Sequence, residues 1–335
     1  MKKHFQPLFA FLFFMIPVAL IAQDREPFIT KTYKNETIGK VYSRTSGGSI
    51  SVDGGADVVK VEVFISGQNG RKYSESEIKE KLLDDYKLVI NTEGNDLIVT
   101  AEPKSRVFNW RDALTISFKI YVPTEVSTDL STSGGSINMR NLSGNHNFST
   151  SGGSLRLDKL SGMTKGRTSG GSIHVTNTKD EIDLSTSGGS VSASNCKGKM
   201  KLGTSGGSIK LDNLGGIIDA HTSGGSIRGS SIKGELTAHT SGGGVDLQHM
   251  ECSINASTSG GNIQIGVDKL AEYVTMKNSG GNIRVALPQD KGLDLRLRGD
   301  RISLENMNNF NGNQEDHKVD GKVNGGGVPI TCSST

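Results

Sequence analysis

The sharpest local feature is a pair of histidines, His221 and His239, separated by 18 residues. If the chain repeats with that period, both occupy one outward column on adjacent turns, within reach of a common metal ion. The flanking members of the column are Gly203 and Ser257, so a third ligand is missing. Metal sites usually need three or four ligands, and two solvated surface histidines are the simpler reading. Carboxylates offer no better catalyst. Asp158 and Asp212 share a column with Thr176 and Ser194 between them, and Lys201 separates Asp183 from Asp219. Glycosidic chemistry needs two carboxyl groups facing one bond, and neither pair fits. Arg156, His174, Lys210 and Arg228 form a third set, a cationic stripe interrupted by Ser192. It suits acidic glycans or other anionic envelope polymers, although without aromatics on that face sugars have no stacking platform. No catalytic residue and no cofactor is assigned, and the chain reads as a non-enzyme.

The elements that must position these residues follow from a repeat. Ser/Thr-Ser-Gly-Gly recurs with its first glycine at 134, 152, 170, 188, 206, 224, 242 and 260, every step being 18 residues. A further copy, Asn278-Ser279-Gly280-Gly281, comes 20 later, and an early one, at Gly47, lies 87 residues upstream of Gly134. A fixed period of this size marks a solenoid. Three places after each first glycine stands an aliphatic residue (Ile137, Leu155, Ile173, Val191, Ile209), and most copies have a second apolar residue two further on. Spacing by two is strand periodicity. A second apolar pair follows, as in Ile182/Leu184 and Met200/Leu202. Each repeat is therefore expected to hold two short strands and two turns, one at Gly-Gly and one near Gly144, Gly162, Gly198, Gly216 and Gly234. The expected fold is all-β: a parallel β-helix, or β-solenoid, of 18-residue rungs forming two flat sheets around a thin aliphatic core. Aromatic scarcity agrees, since between Pro123 and Glu272 only Phe148 is aromatic. Outward columns are expected to include an alternating series, Lys165, Asp183, Lys201, Asp219, and a threonine hydroxyl ladder through Thr150, Thr168, Thr186 and Thr204.

Four regions follow. Residues 1–22 read as a signal peptide: Lys2 and Lys3 precede an apolar run from Leu8 to Ile21, and Ala22 offers a cleavage site. Residues 23–125 form an N-terminal cap of strands with one short helix, Ser74 to Tyr86. Ser74 and Glu77 make its capping box, and Ile78, Leu82 and Leu83 share a face. Lys87–Thr92 and Asp96–Ala101 flank the hairpin signal Glu93-Gly94-Asn95, Leu114–Val122 is a further strand, and Trp110 and Phe108 are assigned to the cap core. Residues 126–300 carry the repeats. Residues 301–335 read as a loop, Asn-rich from Asn306 to Gln314, and a degenerate last rung.

Charge and cysteine content bound the partners. Without Lys2 and Lys3, the 38 basic residues become 36 against 35 acidic, and this near-neutrality argues against nucleic acid. Cys196 and Cys252 lie three rungs apart, on the order of 14 Å, too far for a disulfide. All three cysteines, with Cys332, are expected to be free. Past residue 22 no segment is apolar enough to span a bilayer. The expected location is outside the cytoplasm: periplasm, cell surface or extracellular space.

The export signal, the early Ser46-Gly-Gly-Ser-Ile-Ser-Val52, the helix, the strand ending at Val122-Pro123 and the tandem Thr-Ser-Gly-Gly-Ser-Ile rungs together resemble the bacterial "putative adhesin" β-strand-repeat family, related to head-GIN autotransporter-adhesin-like domains. The resemblance covers nearly all of the chain after residue 22. It implies an envelope β-solenoid and brings no catalytic residues. The leading expectation is an adhesive or envelope-binding protein whose partners are glycans, envelope polymers or surface proteins. The alternatives are a self-associating envelope scaffold or stress-linked component and, third, a polysaccharide-active enzyme. A calcium site of the β-roll kind is not expected, because the ligand position holds an inward aliphatic residue.

Overall fold

In the computed structural model the described residues are 26–34, 36–105, 112–305 and 309–334. The signal-peptide reading of residues 1–22, and Phe108 and Trp110, lie outside them. The described strands join into one continuous sheet of 24 strands that winds around a single aliphatic core.

Rungs stack in parallel at a register of 18: Ile173 pairs with Val191, Val191 with Ile209, and Ile209 with Ile227. The aliphatic columns predicted from the spacing are buried, Leu155, Ile173, Val191 and Ile209 each being at most 1% exposed. The second turn divides the rung as expected at Ile173–Thr176 and Lys179–Thr186, and at Val191–Ser194 and Lys197–Thr204, but not elsewhere in the regular stack. In rungs such as Ile209–Thr222 and Ile227–Thr240 one 14-residue strand runs through the corner. Leu214 there pairs with Ile232 and Gly216 with Gly234, so a single ladder replaces two separate sheets. The chain bends because two backbone positions are left-handed. Gly216 has φ of 116°, and three residues earlier Asn213 has φ of 50°, as do its counterparts Asn141, Asn177 and Asn195 near 55°. Asparagine tolerates this conformation better than other non-glycine residues.

The threonine column is the main correction. Thr168, Thr186, Thr204 and Thr222 face inward and are at most 5% exposed. Their hydroxyls do not bond one another. Thr204 Oγ1 donates to the Gly189 carbonyl of the rung below at 2.7 Å and accepts from Gly207 N–H at 3.2 Å. The same pair of bonds recurs at Thr168, Thr186, Thr222 and Thr240. Each hydroxyl therefore satisfies backbone groups at a glycine turn that has no side chains to do so. In the last copy Asn278 takes over, donating from Nδ2 to Gly261 O and accepting at Oδ1 from Gly280 N–H. Thr204→Val should cost about 2 kcal/mol at equal volume, because it leaves a buried carbonyl and N–H unpaired. Thr204→Ser should recover most of the loss, as read by urea unfolding.

The alternating column is in register, Lys165 beside Asp183, Asp183 beside Lys201, and Lys201 beside Asp219. None of these neighbours is among the ion pairs within 4.0 Å of the described residues. Their contribution is the weak screened attraction of solvated charges.

The early Ser-Gly-Gly copy is solitary only in sequence. Strands Lys40–Thr45 and Ile50–Gly54 lie directly under the Gly134 rung, pairing Thr45 with Thr132 and Ile50 with Ile137 at an offset of 87. Between these two rungs in sequence, but stacked on the far side of Lys40–Thr45 and Ile50–Gly54, come the strands that close the end, which pair antiparallel: Val59–Gly67 with Leu114–Val122, and Tyr86–Glu93 with Asp96–Pro103. The helix spans Glu75–Asp85 with the expected capping box at Ser74 and Glu77. Ile78 is buried, but Leu83 is 72% exposed and does not share its face. Antiparallel strands beyond the first rung cover what would otherwise be an open parallel edge.

At the far end the expected Asn-rich loop is partly a strand. Phe310–Glu315 forms a hairpin with Lys318–Val323, and Val328–Ser334 pairs with Val274–Asn278 and Leu293–Arg298. Five of the six residues of Phe310–Glu315 are exposed. Such a strand buries no face and so carries no apolar alternation to announce it.

Candidate functional site

Beside the glycine turns, each rung sends two residues outward on either side of the buried threonine: the residue before it and the serine after it. Stacking turns these positions into two rows bordering a shallow trough that runs along the solenoid. One segment of the trough, about 610 Å³, extends from Ser131 to Ser223, and a second, about 270 Å³, continues past His239 to Ser333. One bank is a row of serines, among them Ser151, Ser169, Ser187 and Ser205, all exposed. The other bank carries Arg167, Gly203, His221, His239, Ser257 and Lys277 among further serines, in a register that steps rung by rung to Ser333. No carboxylate lines either segment.

The histidine pair sits in this trough, but its members diverge. His239 Nδ1 bonds Ser257 Oγ on the following rung at 2.8 Å. The His221 ring instead lies over the preceding rung, where a methyl group on Gly203 would come within 2.5 Å of Nε2. The two rings are adjacent in register without converging on a shared point. Among the described residues no group of three His, Cys, Asp or Glu side chains is placed to hold a metal ion.

Arg156, His174, Lys210 and Arg228 are all exposed and occupy one column with Ser192, on the other side of the glycine turns. The structure thus places basic side chains on both sides of the same Ser-Gly-Gly edge. His221 and His239 share the column that their 18-residue spacing predicts, whereas Arg167 and Lys277 were not read into it, Lys277 being displaced from strict period by a two-residue insertion. Asp158 shares its outward column with Asp212, three rungs away, and is occupied locally, accepting from Thr176 Oγ1 at 2.9 Å and Asn177 Nδ2 at 2.7 Å.

Cys196, Cys252 and Cys332 are all unpaired. Burial raises each thiol above its ordinary value, Cys252 to about 12 and Cys332 to about 11. A thiol held protonated is a poor nucleophile.

Residues 226–333 match the Toastrack DUF4097 family, over the last three Ser-Gly-Gly copies and the C-terminal strands. This agrees with the likeness read from the repeats, since DUF4097 is likewise a domain-of-unknown-function family. No curated protein matches the sequence. Among solved structures, the chain is similar to a "putative cell adhesion protein" from Clostridium sporogenes, 9% identical, with 91% of this chain and 93% of that one covered and a TM-score of 0.22. It is similar to a "putative adhesin" from Bacteroides fragilis, 13% identical over 77% and 96% of the two chains, TM-score 0.28. A "putative lipid binding protein" from Parabacteroides distasonis is 13% identical over 78% and 93%, TM-score 0.23. Likeness at this level says nothing about what this chain binds. No helix of its described residues is long and apolar enough to cross a membrane.

Proposed function

We propose that this is an exported, non-enzymatic binding protein of the cell envelope, using the edge of its solenoid as an adhesive surface. The observation that carries the reading is the trough: a carboxylate-free strip with a serine at each rung and the cations Arg167 and Lys277 spaced along it. Such a strip offers many weak, equivalent contacts and no enclosed pocket, which suits adhesion to an extended partner more than turnover of a small one. Export rests on the Lys2-Lys3 and Leu8–Ile21 leader pattern. The non-enzymatic part rests on the dispersal of the acidic residues and on the protonated, buried thiols, which offer neither an acid–base pair nor a nucleophile.

Antibody labelling of intact cells, with protease shaving as the control, tests this reading. Labelling without permeabilisation is the expected result. Protection until the outer layer is breached would replace adhesion with a periplasmic scaffold.

A further inference from the structure

We infer that the trough binds a linear acidic polysaccharide laid lengthwise along the solenoid. The inference rests on the envelope-binding reading and adds the class of ligand.

The first argument is shape. From Ser131 to Ser333 the trough-side column makes nine steps, roughly 43 Å at ~4.8 Å per rung. The trough is shallow and open at the side, so it encloses no small molecule. A polymer aligned with the axis meets the serine that follows the buried threonine, or Asn278, at every rung.

The second argument is charge density. Arg167 and Lys277 are the two permanent cations of the lining, and His221 and His239 lie between them, without an opposing acid in either segment. The ligand is therefore anionic, but sparsely so. A nucleic-acid strand carries one phosphate per ~3.4 Å, so that a dozen or so charges would face two fixed cations over this length. Polyphosphate fits as badly.

The third argument is hydrogen bonding. Serine hydroxyls both donate and accept, and those of the exposed Ser151, Ser169, Ser187 and Ser205 make no side-chain hydrogen bond among the described residues, whose bonds at these positions are backbone ones. A polymer that itself carries hydroxyls between its carboxylates can use both capacities. A bare polyanion can use only the donors.

The test is binding of the purified chain to hyaluronan, which carries a carboxylate only on every second sugar, with dextran as the neutral polymer and polyphosphate as the dense anion. Hyaluronan should bind, more weakly as salt is raised, and dextran should not. Arg167→Gln and Lys277→Gln should each weaken binding up to about fivefold, and together about twentyfold. Lys197→Gln, at the opposite corner of the rung, should leave it unchanged. Circular dichroism will establish that the variants stay folded, which exposed positions favour.

Preference for polyphosphate, or equal losses at Lys197, would overturn the trough as an acidic-glycan site. A protein that labels on intact cells yet ignores hyaluronan would refute this inference and leave the envelope reading standing. Failure in both assays would remove both.

Discussion

Gly207→Ala should destabilise the protein by roughly 2–4 kcal/mol, whereas Gly206→Ala, one residue earlier, should stay within about 1 kcal/mol. The contrast comes from how closely successive turns approach. A methyl group on Gly207 would lie 2.1 Å from the carbonyl oxygen of Gly189 on the rung below. On Gly206 its nearest neighbour would be Ser187 O at 3.5 Å, an ordinary contact. The pattern recurs at each turn: Gly171 would meet Gly153 O at 2.0 Å, while Gly170 would meet Ser151 O at 3.6 Å. Neither glycine of these turns has a left-handed φ. The second glycine is therefore required by the stacking distance itself, and the backbone offers no flexible side chain that could yield. Urea unfolding of both variants measures the difference. Equal costs would mean that rungs can separate locally at a turn without loss of the ladder.

The second large effect is acid sensitivity from His146. This imidazole is 1% exposed and lies in the core column that elsewhere holds Ile182 and Met200. Nδ1 meets Thr128 Oγ1 at 3.1 Å, while Nε2 is buried without a partner. Burial pushes its pKa down to about 4 from the ordinary 6.5. Between those values the unfolded chain binds a proton that the native state refuses. Stability is therefore retained above pH 6.5 and falls progressively as the pH drops toward 4. At pH 4.5 the loss should be roughly 2–3 kcal/mol relative to pH 7. His146→Leu should remove this component and leave only the acid sensitivity of the carboxylates. At pH 7 its effect should be small, because Thr128 loses a partner as the unpaired Nε2 disappears. Urea midpoints of both proteins at pH 7 and 4.5 provide the measurement. Equal acid losses would mean that His146 is solvated in the native state.

Much of this architecture was legible because the repeat is strict. An aliphatic residue three places after each first glycine fixes which side of the strand is inside, and the observed register at 18 follows from it. The capping box at Ser74 and the hairpin around Gly94 were equally visible, since both depend on local residue types. Threonine was harder to place. It is polar enough to read as outward, yet its hydroxyl is needed inside, where the glycine turn leaves backbone groups unpaired. The Asn213 corner was missed for a related reason: a left-handed residue inside a continuous strand leaves the apolar spacing on either side intact. Phe310–Glu315 shows the opposite failure, a strand defined only by backbone pairing. At the candidate site, the Arg156–Arg228 column could be read from spacing alone. That it shares an edge with Arg167, His221 and Lys277 depends on how the rung closes at Gly-Gly, which no linear pattern states.

The claim on which the functional account turns is that ligand lies against the serine edge. It can be tested with single reporter thiols in a Cys332→Ser background, where the two remaining native cysteines are buried. Ser187→Cys places a thiol in the trough, and Lys197→Cys places one at the opposite corner of the next rung; both positions are exposed. Maleimide labelling of each is then followed with and without an isolated envelope fraction. Slower labelling at residue 187 and unchanged labelling at residue 197 is the predicted result. Equal protection of both positions, or of neither, would contradict the assignment of the trough as the binding face.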